Sequence, residues 1–160
     1  MVSGVEYDKS RVDDVLRTLN YLQNYQIEIG IFGDSEGGDL HSDSGITVVE
    51  IATIHEFGAP RANIPERSFI RAGWDKYKGQ IESVASRMMN DVFDGKISVD
   101  AYFETVGVFT VGRIQEYLRS SQGMKPLKQA TIQAKGSSKP LIDTGQLIGS
   151  ITHRVRRRSF

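Results

Sequence analysis

Ile151-Thr152-His153-Arg154-Val155-Arg156-Arg157-Arg158 alternates along its length: Ile151, His153 and Val155 share one side, and Thr152, Arg154, Arg156 and Arg158 share the other. A period of two reads as a strand, here with an apolar face and a basic face. Tyr25-Gln26-Ile27-Glu28-Ile29-Gly30-Ile31-Phe32-Gly33 has the same period and sets Ile27, Ile29 and Ile31 on one face. The two stretches lie at opposite ends of the chain, so pairing 26–32 with 151–157 gathers everything between them into one body. What lies between is largely helical in pattern. The expected fold is therefore α+β, a small, mostly antiparallel sheet packed with two long helices, in a single domain over 1–160.

Working inward, Trp74, Tyr77, Ile81, Val84, Met88 and Val92 recur at steps of three and four, an apolar stripe on a helix that starts near Glu66. Asp94-Gly95-Lys96 breaks it. Ser98 is placed to N-cap a second long helix carrying Phe103, Val106, Phe109, Ile114 and Tyr117. Gly107 and Gly112 inside that helix each cost about 1 kcal/mol relative to Ala, and close approach of another backbone is the expected reason for them. Val15, Leu16, Leu19 and Leu22 mark a shorter amphipathic helix over 13–23. Val48, Ile51, Ala52, Ile54 and Phe57 mark another over 47–57, ended by Gly58 and blocked by Pro60. The stretch 34–45 (DSEGGDLHSDSG) is acidic, rich in Gly and Ser, and reads as an exposed, mobile loop. Towards the end, 126–134 suits one or two helical turns and 135–140 a basic loop. Asp143 and Thr144 then cap a short helix through Leu147 and Ile148, before a basic C-terminal strand at 150–158.

Composition narrows the function classes. A chain of 160 residues, 39% hydrophobic, suits one core. No apolar run approaches the roughly 18 residues of a membrane span, so no membrane partner is expected. The first residues, Met1-Val2-Ser3-Gly4-Val5-Glu6, lack the basic and apolar regions of a signal peptide. There is no cysteine, which excludes disulfides, thiolate catalysis and Cys-based zinc sites. Twenty basic side chains balance twenty acidic ones, but unevenly: residues 1–80 hold 13 acids and 8 bases, residues 81–160 hold 7 and 12. Segregated charge of this kind favours a polyanion or head-to-tail contact between copies.

Catalytic signatures are wanting. His55-Glu56 begins like a zinc-protease motif, but the second His belongs one turn on and position 59 is Ala. His41, His55 and His153 are the only histidines. No G-x-S-x-G elbow, phosphate-cradling glycine loop or calcium-loop spacing occurs. Asp13 with Asp14, and Glu66 with Asp75, read as helix starts and solvated faces. No catalytic, cofactor or metal site is expected, and the chain reads as no enzyme. An alternative is a nucleic-acid-binding module using the basic C-terminal strand, whose Arg154, Arg156 and Arg158 recur about every 6.5–7 Å, near the phosphate spacing of a single strand. Against it, the chain has no helix-turn-helix signature, no aromatic platform beside the arginines and no net basic charge.

Three segments occur in a telling order: Ile51-Ala52-Thr53-Ile54-His55-Glu56-Phe57-Gly58, then Ile64-Pro65-Glu66-Arg67-Ser68-Phe69-Ile70-Arg71, then Pro140-Leu141-Ile142-Asp143-Thr144-Gly145-Gln146-Leu147. Together they resemble the neck and tail-completion proteins of tailed bacteriophages, the group containing minor tail protein Z of phage lambda and virion morphogenesis protein G of phage Mu. The likeness spans about 46–155. Its motif residues here are His55, Glu56, Phe57, Gly58, Pro65, Arg67, Phe69, Arg71, Asp143, Thr144, Gly145 and Leu147. The resemblance implies a non-enzymatic subunit of the virion, assembled in the host cytoplasm, that forms a ring at the head–tail junction or tail end. The implied partners are copies of itself and adjacent neck or tail proteins, with passing contact to packaged DNA. Local chemistry gives the motifs work within the fold: Gly58 stops a helix, Pro65 fixes a turn, Phe69 anchors it, and Arg67 and Arg71 bridge to carboxylates such as Glu56. Asp143 and Thr144 cap the last helix, and Gly145 permits a tight approach. The subunit contacts expected from the charge asymmetry are acidic Asp39 and Asp43 of one copy against Arg154, Arg156 and Arg158 of the next.

Overall fold

The computed structural model describes residues 9–34, 38, 45–120 and 145–158. In chain order the elements are α1 (Lys9–Asn24), β1 (Tyr25–Gly30), α2 (Val48–Phe57), a 3-10 turn (Pro60–Ala62), α3 (Ile70–Phe93), α4 (Val99–Ser120), α5 (Gln146–Gly149) and β2 (Thr152–Arg157). This is the expected α+β arrangement, a small antiparallel sheet against two long helices. The first and last strands pair with Ile27 opposite Val155, Glu28 opposite Arg154 and Ile29 opposite His153. Strand β1 ends at Gly30, short of the expected Phe32. Gly30 faces Thr152, the first residue of β2, and Ile151 before it already belongs to the turn out of α5. Without a partner, the ladder stops.

Helices α3 and α4 supply most of the core. Ser98 caps α4 as expected, its Oγ accepting the Ala101 amide at 3.1 Å. Gly95, at φ +72°, turns the chain between the two helices. Phe69, Ile114, Leu118, Ile151 and Val48 are the largest fully buried side chains, and Tyr77, Ile81, Tyr117, Leu147 and Ile148 complete the cluster. Of the predicted α3 stripe, Tyr77, Ile81 and Val92 are buried, Val84 and Met88 half-buried, and Trp74 lies exposed. Helix α3 starts at Ile70 rather than near Glu66, for a reason that belongs to the candidate site below.

The two helix glycines part company. A Cβ at Gly107 would lie 2.2 Å from the His153 ring, so β2 approaches α4 through that glycine. The group approaching is a side chain rather than the expected backbone. A Cβ at Gly112 would meet nothing within 4 Å among the described residues, where close approach does not account for it. Helix α1 also differs from expectation. It has no fully buried residue, and Val12, Leu16 and Leu19 are exposed. It is held at one edge, where the Tyr21 hydroxyl donates to Asp100 of α4 and the ring stacks on Tyr25. The Asp100 carboxylate, with burial adding to it, pushes the Tyr21 phenol up to about 12. The expected turns at 126–134 and loop at 135–140 lie outside the described residues.

Candidate functional site

The first two motif segments fold into one polar clamp. Thr47 opens α2 with a capping box: its Oγ1 accepts the Glu50 amide at 3.2 Å, and its own amide donates to Glu50 Oε2 at 2.8 Å. Ten residues of helix then deliver His55, Glu56 and Phe57 to the last turn. Gly58 follows at φ +74°, and a Cβ there would stand 2.8 Å from the Glu66 amide nitrogen, so both conformation and space demand glycine. Ala59 and Ile64 exchange backbone hydrogen bonds of 2.9 and 3.1 Å around the 3-10 turn. The Arg67 amide donates to the His55 carbonyl at 2.8 Å. The chain has now doubled back, and the start of α3 stands over Glu56.

Glu56 is 5% exposed, yet its carboxylate is saturated with donors. Oε2 accepts the amides of Phe69 at 2.7 Å and Ile70 at 3.0 Å. Oε1 accepts the Arg71 amide at 3.1 Å, Arg71 Nε at 2.9 Å and Ser68 Oγ at 2.8 Å. Arg71 Nη2 reaches the Glu56 carbonyl at 2.7 Å and Glu66 Oε1 at 2.9 Å. A carboxylate from α2 thus satisfies the open amides that begin α3 and lies at the positive end of its dipole. This fixes the helix start at Ile70. Burial works against ionisation, but the Ile70 and Phe69 amides, the Arg71 guanidinium and the Ser68 hydroxyl outweigh it and hold the carboxyl below its ordinary value.

Other motif residues of the first two segments belong to the same construction. Phe69 is fully buried and anchors the clamp, as expected. Arg71 is the arginine on the Glu56 carboxylate, and its guanidinium also lies 4.9 Å from the centre of the exposed Phe57 ring. Arg67 is buried, and desolvation lowers its pKa. Pro65 and His55 are half-buried and Leu147 is buried beneath α5. Gly145 sits at φ +72°, a turn conformation that favours glycine, and among the described residues nothing lies within 4 Å of a Cβ there. Asp39, Asp43, Asp143 and Thr144 lie outside the described residues.

The basic strand is tied to its own chain. Arg154 Nε meets Glu28 Oε2 at 2.8 Å, Nη1 meets Asp34 Oδ2 at 3.1 Å, and the guanidinium lies 3.7 Å from the Phe32 ring centre. Arg156 approaches the same acids at 3.6 and 3.9 Å. The hydrogen bond from Arg154 holds the Glu28 carboxyl low. Within its own chain, antiparallel register puts Glu28 directly across from Arg154, and the chain after β1 brings Asp34 to it. Arg157 and Arg158 stay exposed at the strand end.

A third feature carried no motif. Beside the clamp, two contiguous hollows of about 220 and 340 Å³ share Ile70 and Arg71 as their common wall. Ile31, Val49, Ala52, Thr53 and Phe57 line the first, and Ile29, Trp74, Asp75 and Ile114 the second. The sign available in the sequence was Trp74, the one member of the α3 stripe that leaves the core. No family model, curated protein or solved structure matches the chain. Among the described residues, no group of three or more His, Asp or Glu is placed to hold a metal ion, and no helix is long and apolar enough to cross a membrane.

Proposed function

We propose that this chain is a structural virion protein of a tailed phage, a ring-forming neck or tail-completion subunit at the head–tail junction or tail end. The observation that carries the reading is the Glu56 clamp. Residues of two separate motif segments converge on one carboxylate, and both of its oxygens are taken up by Ser68, Phe69, Ile70 and Arg71. A carboxylate so committed holds two helices at a fixed angle and is poorly placed for proton transfer. Motifs of this kind suit a subunit whose task is to present rigid surfaces to neighbours.

The basic strand supports the nucleic-acid alternative less well, since Glu28 and Asp34 offset Arg154 and stand near Arg156. Passing contact with packaged DNA would fall to Arg157 and Arg158. The deciding experiment is electron microscopy of particles made without this protein. Unjoined heads beside finished tails would place it at the junction, and overlong or unfinished tails at the tail end. Particles of normal form and infectivity would overturn the proposal.

A further inference from the structure

We propose that copies of this chain join head to tail, with the exposed apolar face of α1 in one copy seated in the groove beside the clamp of the next. The inference rests on the ring reading and names the two halves of its contact.

Val12, Leu16 and Leu19 fall at i, i+4 and i+7 on α1 and are 47%, 58% and 41% exposed. Three large apolar side chains at that spacing form the ridge that a helix lays into a hydrophobic groove. The groove lies between α2, α3 and Ile29–Ile31, with Phe57 and Trp74 exposed at its margins.

Their positions prevent one copy from satisfying itself. Helix α1 contacts α4 and β1, and its Arg11, Asp14, Val15 and Thr18 share a hollow with Val92, Phe93, Asp94 and Gly95 at the far end of α3. The groove is at the near end, around Ile70 and Trp74. Trp74 and Val92 are separated by roughly 27 Å of helix at 1.5 Å per residue. Complementary surfaces at opposite ends of one molecule make a heterologous contact, which builds a ring where the rotation between copies closes.

Charge selects the occupant and its direction. Lys9 and Asp13 stand one turn apart on α1, each three residues before a ridge side chain, and neither makes an ion pair among the described residues. Arg71 and Asp75 stand one turn apart on the groove wall; Glu56 and Glu66 offset Arg71, whereas Asp75 makes no ion pair among the described residues. An α1 running antiparallel to α3 sets Lys9 beside Asp75. The parallel alignment would set like charges together. A second copy carries the pattern that the groove's charges complement. One helical ridge covers less than the ~800 Å² per partner of a typical stable pair, so a lone pair is weak and closure, with two contacts per copy, is favoured.

Two exposed positions allow each half to be blocked alone: Leu16→Asp spoils the ridge, and Thr53→Arg fills the groove. Light scattering reads the mass of the full chain, and far-UV circular dichroism confirms that each variant retains its helices. Wild type is expected to form a closed oligomer and each variant to stay monomeric. An equimolar mixture is expected to form 1:1 dimers and nothing larger, and only at higher concentration than wild type needs, because one good ridge and one good groove remain but no ring can close. As a second probe, Lys9→Asp and Asp75→Lys should each weaken assembly and the double variant should restore it. Wild-type oligomers that survive both single blocks would overturn this interface and leave the ring intact, its contact elsewhere. Monomeric wild type at all concentrations would overturn the ring and the interface together. Blocked variants that stay monomeric when mixed at concentrations far above those at which wild type assembles would overturn the pairing of ridge with groove.

Discussion

Glu56 is the residue on which the α2–α3 junction turns, and its contribution follows from the donors around it. Hydrogen bonds to a charged group each contribute about 1.5–3 kcal/mol, and a helix N-cap about 0.5–2 kcal/mol. Glu56→Gln keeps the shape but removes the charge and turns one acceptor into a donor facing other donors. A loss of about 2–3 kcal/mol is expected, read as a lower urea midpoint at unchanged slope. The pH dependence has a definite sign. The folded carboxyl lies below its ordinary value near 4.5, so its contribution is fully present above that value and is lost as pH falls through the folded pKa. The stability gap between wild type and Glu56→Gln should therefore close on acidification and stay constant above about pH 5.5. The helix glycines give a second residue-scale expectation. Gly107→Ala forces a methyl into the His153 ring and should cost about 1–3 kcal/mol or more. Gly112→Ala meets open space and should gain up to about 1 kcal/mol. Thermal unfolding of the pair gives opposite shifts if this is right. Sequence treated the two glycines alike because His153 lies far along the chain, and only the fold brings it over one of them.

Elements were legible where a single period governs them. The stripe through Tyr77 and Ile81 placed α3, Ser98 placed the start of α4, and two alternating stretches with matching faces implied a sheet made from the chain's ends. Boundaries were less so, because partners far along the chain set them: β1 stops where β2 runs out, and α3 starts where Glu56 can cap it. Helix α1 shows the limit of amphipathic reasoning. Its apolar side chains have the spacing of a core face, but periodicity does not say whether that face meets this chain's core or something else. The β1–β2 pair yields a test of how the basic strand is held in its own chain. Arg154→Ala removes the links to Glu28 and Asp34 and the stacking on Phe32, so it should lower the melting temperature. Salt screens the ionic part and not the stacking, so the loss should shrink but persist at high ionic strength. Arg157→Ala, exposed and without an ion pair among the described residues, should leave the melting temperature unchanged.

At the scale of the whole molecule, the buried side chains are unevenly distributed, and stability should be uneven with them. Helices α3 and α4 carry Tyr77, Ile81, Ile114, Tyr117 and Leu118 in one cluster, whereas α1 contributes no fully buried residue and is held mainly through Tyr21 and the half-buried Val15 and Leu22. Segments with few buried apolar contacts open locally at small free energy, and core helices exchange their amides only through global unfolding. Hydrogen exchange on dilute protein should accordingly show α1 amides opening first, at a rate nearly insensitive to low urea, since little surface is exposed in that event. Amides around Ile114 and Leu118 should be the slowest and the most urea-sensitive. A helix that is loosely attached, apolar on its outer side and remote from a matching groove is suited to gain order from a neighbour. Raising the protein concentration until copies assemble should then slow exchange in α1 selectively and leave the centre of α4 unchanged. Uniform slowing along the chain would instead mean that association stabilises the fold as a whole, and α1 would lose its special place in the contact.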